Sequence, residues 1–118
     1  MDLIERLAVY ARIELIKTGM AIEDFFVSFD APAHEKMDAS SAYASHLEFL
    51  AQAEGRWSGQ YQALAELYSA LGKGRKATDA LCKSIRYDCL SRSHEEDARN
   101  RRRLEGGLSM PEEDARVF

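Results

Sequence analysis

The sequence predicts a single all-α domain, a compact bundle of about five helices. Glycine occurs seven times and proline only twice in 118 residues, whereas the helix-favouring residues Ala, Leu, Glu, Lys and Arg are abundant. No stretch alternates apolar and polar residues between turn signals, which is the pattern typical of a strand. Apolar residues make up 46% of the chain and charged residues 31%, as is ordinary for a folded domain.

The first helix is predicted from about Asp2 to Lys17, where apolar residues recur every three or four positions. Gly19 is expected to weaken or end it. The apolar stretch Ala21–Phe29 is either a short second helix or a continuation of the first, and its β-branched and aromatic residues leave a strand open. Asp30-Ala31-Pro32 predicts a boundary, because proline disfavours helix in the residue before it.

A helix is predicted next from His34 to Glu54, either continuous or interrupted at Asp38–Ser41, where polar side chains compete for backbone hydrogen bonds. Gly55 and Ser58-Gly59 indicate a turn, with Trp57 at the junction.

The segment Tyr61–Asp88 has the clearest design, two short amphipathic helices about a tight turn. Its first helix has an apolar face of Leu64, Leu67, Tyr68 and Leu71, and its second a face of Ala77, Ala80, Leu81, Ser84 and Ile85. Gly72 and Gly74 supply the backbone freedom for the turn between them.

A last helix is predicted from about Ser91 to Leu104, with acidic residues first and arginines last, an order that complements the helix dipole. Gly106-Gly107 is expected to end it. The domain is therefore predicted to span residues 1–107, and residues 108–118 to form a flexible acidic tail.

The hairpin resembles one tetratricopeptide repeat, a helix–turn–helix unit of 34 residues. The resemblance rests on the spacing of Tyr61, Leu64, Ala65, Tyr68, Gly72, Ala77, Leu81 and Ser84. It covers about a quarter of the chain, the usual closing proline is replaced by Cys89, and no second copy is found. The resemblance implies protein binding in a concave groove, with polar groove residues among Gln60, Gln62, Glu66 and Ser69.

Charge is distributed unevenly along the chain. Residues 1–55 hold ten acidic and four basic side chains, residues 56–104 hold eleven basic and six acidic ones, and the remainder is acidic again. The uneven charge distribution either reflects solvated helix faces or forms a polarised surface that orients a partner. Nucleic-acid contact through the basic 73–103 region is the alternative hypothesis, with candidates Lys73, Arg75, Lys76, Arg99, Arg101, Arg102 and Arg103.

The sequence contains no recognisable catalytic motif, so we expect neither an enzyme nor a cofactor. The three histidines are scattered, and Cys82, Cys89 and His94 fit no common zinc spacing, so no metal is expected. The two cysteines are about 10 Å apart along one helix, too far for a mutual disulfide. Buried, reduced thiols and a cytoplasmic location are therefore predicted. Neither a signal peptide nor a membrane span is indicated.

Aromatic residues predict a protein interface. Phe25, Phe26 and Phe29 cannot all face inward together with Val27, because they span most of a helix circumference. Trp57 and Tyr61 flank the hairpin entrance, and such residues are frequent at interface hot spots. An ordinary core with one loop-packing tryptophan is the simpler interpretation. We expect a non-catalytic protein-binding module: an adaptor, a small chaperone, or a stoichiometric inhibitor such as phages and mobile elements encode. A homodimer is the other form of this hypothesis.

Overall fold

The structure, a computed structural model, describes residues 1–30 and 39–107, and the side chains of residues 1–27 and 43–104. It consists of three helices: α1 (Leu3–Asp30), α2 (Ala39–Ala70) and α3 (Gly74–Gly107). No strand occurs within these ranges, so the all-α prediction is confirmed for them. The predicted tail, residues 108–118, and the predicted boundary residue Pro32 lie outside them.

The prediction of about five helices was wrong, because three expected breaks do not occur. Gly19 lies inside α1, so Ala21–Phe29 continues the first helix; Gly55 and Ser58-Gly59 lie inside α2, and Ser91 lies inside α3. A glycine inside a helix costs only about 1 kcal/mol relative to alanine. Packing along a long helix outweighs a local cost of that size.

Helix α1 begins at a side-chain cap and ends where a boundary was predicted. The Asp2 carboxylate accepts a hydrogen bond from the backbone N–H of Glu5 at 2.8 Å, which satisfies one of the free donors of the first turn. The helix ends at Asp30, two residues before Pro32.

Helices α2 and α3 form an antiparallel hairpin about the predicted turn. Gly72 has a φ of 75°, the left-handed conformation that glycine adopts without strain. The N–H of Lys73 donates to the carbonyl of Tyr68 at 2.9 Å, and the N–H of Gly72 to that of Ser69 at 2.9 Å. These two bonds are the Schellman pattern that closes a helix C-terminus.

The molecule is elongated, and the expected compact bundle was wrong. Helices α2 and α3 contain 32 and 34 residues, each about 50 Å long at 1.5 Å per residue. The dimensions are 65 × 33 × 17 Å and the radius of gyration is 19.4 Å. A compact domain of this length has a radius of gyration of about 13–14 Å. Full-length pairing of the two long helices sets this shape, and α1 lies against the hairpin.

All three helices pack through stripes in which steps of three and four residues alternate. The stripe of α2 contains Ala44, Leu47, Ala51, Glu54, Ser58, Tyr61, Ala65 and Tyr68, and that of α3 contains Ala77, Ala80, Ser84, Tyr87, Ser91, His94 and Ala98. Ile13 of α1 joins Leu64, Ala65 and Ala80 in a core near the turn. Leu81 and Ile85 lie beside the α3 stripe and are exposed, so their predicted inward orientation was wrong.

Candidate functional site

Helix α1 carries two apolar stripes on opposite sides. The inner stripe packs towards the hairpin and consists of Val9, Ile13, Ile16, Met20 and Val27. The other stripe, which we call the outer face, consists of Ile4, Leu7, Ala8, Ala11, Leu15, Thr18, Ile22, Phe25 and Phe26. At 100° per residue the two stripes are centred roughly 180° apart, so packing against the hairpin buries only one of them.

The outer face exposes large aliphatic side chains. Ile4 is 78% exposed, Leu15 is 73% exposed and Ile22 is 53% exposed. A surface helix that packs on one neighbour normally carries polar residues opposite its packing stripe. Single exposed apolar residues are ordinary, but a contiguous row along a helix indicates a binding surface.

The predicted phenylalanine segment contributes to the outer face. Phe25 and Phe26 are exposed, and their rings meet edge to face with centroids 5.8 Å apart. Val27, the next residue, is buried on the inner stripe. Phe29 lies in the last turn of α1, but its side chain is outside the described set. Two of the three predicted phenylalanines are thus placed on one surface.

Trp57 and Tyr61 lie in the middle of α2 and not at a junction. Both contact Tyr87 of α3: Trp57 edge to face at 5.5 Å and Tyr61 in a stacked arrangement at 5.6 Å. With Tyr68 they line a groove of about 640 Å³ between α1 and the hairpin, the aromatic groove. Sequence analysis missed Tyr87, although it falls three residues after Ser84 on the α3 stripe.

Lysine side chains cover part of the aromatic groove. Lys83 Nζ lies 5.5 Å from the ring centroid of Tyr61, and Lys76 Nζ lies 5.7 Å from that of Tyr68, both within cation–π range. The groove follows the side of α1 that carries Lys17 and Asp24, not the outer face. Of the predicted interface residues whose side chains are described, Phe25 and Phe26 therefore lie on the outer face, and Trp57 and Tyr61 line the aromatic groove.

Two of the three basic candidates near the turn contact tyrosines. Lys73 Nζ lies 5.1 Å from the ring centroid of Tyr10, and Lys76 lies over Tyr68 as described. Arg75 is exposed.

The basic candidates at the far end of α3 are mostly paired. Three of the four arginines contact carboxylates: Arg99 with Glu95, Arg101 with Asp97 and Arg102 with Glu48. Arg103 is exposed. Lys76 and Arg99 are separated by about 35 Å along the helix, at 1.5 Å per residue. The seven predicted basic residues therefore form two separate groups and not one patch.

The described residues contain neither a metal-ligand cluster nor a membrane-spanning helix. No group of three or more His, Cys, Asp and Glu side chains among them could hold a metal ion. No helix in the described ranges is long and apolar enough to cross a bilayer. Cys82 and Cys89 are free and exposed, so the prediction of buried thiols was wrong; neither position falls on the α3 stripe.

The chain matches no protein-family model, no curated protein and no solved structure. The resemblance of Tyr61–Asp88 to a tetratricopeptide repeat therefore stays a prediction. In this chain the helix–turn–helix is the end of a longer hairpin, since α2 begins at Ala39 and α3 ends at Gly107.

Proposed function

We propose that this chain is a non-catalytic protein-interaction module and that its binding surface is the outer face of α1. The observation that carries the proposal is the exposed apolar row from Ile4 to Ile22 on a helix whose other side is already packed. Covering one such side chain contributes about 1.5–3 kcal/mol when burial is complete. A protein partner is the simplest source of that burial.

The geometry of the outer face favours a helical partner. Its large and small residues follow steps of three and four, the spacing at which one helix packs along another. An adaptor, a small chaperone or a stoichiometric inhibitor would all use such a face. The module needs no reactive group, because its effect comes from occupying or presenting a surface.

Nucleic-acid binding is the weaker alternative. Contact with phosphates requires cations that are available and close together. Here Arg99, Arg101 and Arg102 already contact carboxylates, and the lysines near the turn lie at the other end of the hairpin.

Affinity purification from the native host tests the proposal with two matched variants. The variant Leu15→Glu/Ile22→Glu places two charges on the outer face, and Leu81→Glu/Ile85→Glu places the same charges on exposed positions of α3. We expect proteins that co-purify with wild type, whether host proteins or differently tagged copies of this chain, to be retained by the α3 variant and lost by the outer-face variant. Equal recovery with both variants would contradict the proposal.

Nuclease treatment and a salt series distinguish protein binding from nucleic-acid binding. A protein partner held by the outer face survives nuclease, and Arg101→Glu/Arg103→Glu leaves its recovery unchanged. Loss of recovery in that variant, with a steep dependence on salt, would favour nucleic acid.

A further inference from the structure

We propose that the occupant of the outer face is a second copy of this chain, paired through α1 in antiparallel orientation about a twofold axis between Ile16 and Lys17. The inference rests on the proposed function, since it names the partner of the same surface. An isologous pair of this kind requires a surface that is complementary to itself.

The outer face has the same spacing as the packed stripes of this fold. Its central row alternates steps of four and three through Ile4, Ala8, Ala11, Leu15, Thr18, Ile22 and Phe25. This is the heptad pattern of a helix–helix seam. The stripes of α2 and α3 follow it as well, and each of those is packed against another helix. The outer face is a fourth seam of the same design, and it is exposed.

The antiparallel register follows from the sizes of the side chains. About an axis between residues 16 and 17, Leu15 lies opposite Thr18 of the second copy, and Ile22 lies opposite Ala11. The exposed part of Phe25 lies opposite Ala8. In these three layers a large side chain faces a small one, which is how interiors reach close packing, and towards the ends of the seam Leu7 lies opposite Phe26.

A parallel pair would be poorly packed in comparison. It would set Ala8 against Ala8 and Ala11 against Ala11, which leaves two successive thin layers. It would then set Ile22 against Ile22 and the bulky Phe25 against Phe25. Uneven layers of this kind leave gaps at one end of the seam and crowding at the other.

Flanking charges are compatible with this register. With the axis between residues 16 and 17, Arg12 lies opposite Ala21 of the second copy and Glu14 lies opposite Gly19, so these charges do not meet like charges across the seam.

The exposed area is what a stable dimer needs. Six large side chains of the outer face, Ile4, Leu7, Leu15, Ile22, Phe25 and Phe26, together expose roughly 750 Å². Specific dimers bury about 800 Å² per partner. The largest apolar patch of an ordinary monomer is about 300–600 Å².

Analytical ultracentrifugation of the purified full chain tests the association. We expect wild type and Leu81→Glu/Ile85→Glu to sediment as dimers, and Leu15→Glu/Ile22→Glu to show a dissociation constant raised at least about 30-fold, because two central side chains become charged. Thr18→Glu changes one small exposed residue near the axis. It should also weaken the dimer, and it provides a second test in case the double variant fails to fold. Circular dichroism reports the helix content of each.

Cysteine cross-linking tests the register in a Cys82→Ser/Cys89→Ser background. The variant Ala11→Cys/Ile22→Cys should form covalent dimers on mild oxidation, because the two positions face each other between copies. The same two positions are about 16 Å apart within one helix, too far for an internal bond. Ile22→Cys alone should cross-link slowly. Rapid cross-linking of that single variant would show a parallel pair and overturn the proposed arrangement.

The outcomes separate this inference from the proposed function. A wild-type monomer at tens of micromolar that still captures host proteins through the outer face overturns the dimer and leaves the interaction module standing. A monomer that captures nothing through that face overturns both. A monomer that co-sediments with phosphatidylcholine–phosphatidylglycerol vesicles, and loses this in Leu15→Glu/Ile22→Glu, assigns the face to a lipid surface and also overturns the dimer.

Discussion

The two ends of the α2–α3 hairpin use the same spacing but different chemistry. Near the turn, α1 joins the hairpin, and Ile13 packs with Leu64 in an apolar core. Away from the turn, small side chains and polar pairs lie between the helices. Ser91 Oγ donates to the carbonyl of Ala51 at 2.6 Å, and the His94 ring lies 2.5 Å from the Glu54 carboxylate. A helix seam can thus be built from large apolar residues or from small residues with satisfied hydrogen bonds.

Close approach explains the second kind of seam. A Cβ atom on Gly55 would lie 3.4 Å from Ser91 Oγ, an ordinary van der Waals contact, so the two helices approach closely at this level. Between the two ends, Ser58 Oγ donates to the carbonyl of Ser84 at 2.8 Å, and Ser84 Oγ donates back to that of Ser58 at 2.7 Å. Each buried hydroxyl therefore has a partner, which removes the cost of placing it between helices.

The largest expected effect lies at the apolar end. Ile13→Ala removes a side chain that is 2% exposed and leaves a cavity beside Leu64. We expect the free energy of unfolding to fall by about 3 kcal/mol, measured by chemical denaturation. Hydrogen exchange should also show faster opening of α1, since Ile13 is its buried anchor in this core.

Leu81→Ala is the matched control for that change. Leu81 is 48% exposed on α3, although sequence periodicity placed it on the packed face. Its truncation should cost about 1 kcal/mol or less, because little buried surface is lost. Equal losses for the two variants would mean that the core near the turn does not anchor α1.

A smaller effect is expected at the polar end. The Glu54 side chain is only 7% exposed, and the Nδ1–H of His94 is placed to donate to it. His94→Ala leaves this carboxylate without that donor, and we expect a loss of about 2 kcal/mol in the free energy of unfolding. Glu54→Gln is the matched control, because glutamine has the same size as glutamate and keeps an oxygen acceptor. If Glu54→Gln costs as much as His94→Ala, then the charge of the carboxylate, and not the mere presence of an acceptor, stabilises this end, because glutamine keeps the size of the side chain and an oxygen acceptor.

The contrast explains which parts of the fold the sequence could predict. Leu64, Leu67 and Tyr68 near the turn are large, so their periodicity is plain, and the turn at Gly72 carries a strong local signal. The stripe away from the turn is made of residues such as Ala51, Ser58 and Ser91, which local rules assign to breaks and caps. Their three-and-four spacing is visible only when small residues are counted as packing residues.

The candidate site also contains residues that the sequence predicted and residues that it did not. Phe25 and Phe26 were predicted because, together with Val27 and Phe29, they span most of a helix circumference and cannot all face inward. Ile4, Leu15 and Ile22 were missed, because the sequence shows two apolar stripes on α1 without saying which one packs on the hairpin. That choice depends on tertiary contacts of α2 and α3 and not on α1 alone.

The smallest expected effects come from two glycines of opposite character. Gly59 lies inside α2 with open space where a Cβ would be, so Gly59→Ala should raise the free energy of unfolding by about 0.5–1 kcal/mol through helix propensity. Gly72 also has space around it, but its φ of 75° strains any L side chain, so Gly72→Ala should lower stability by about 1–2 kcal/mol. Thermal or denaturant unfolding of the two single variants measures the rise in the free energy of unfolding expected for Gly59→Ala and the fall expected for Gly72→Ala. Destabilisation by Gly59→Ala would indicate that the chain turns there after all, and that the seam of small residues does not hold α2 as one helix.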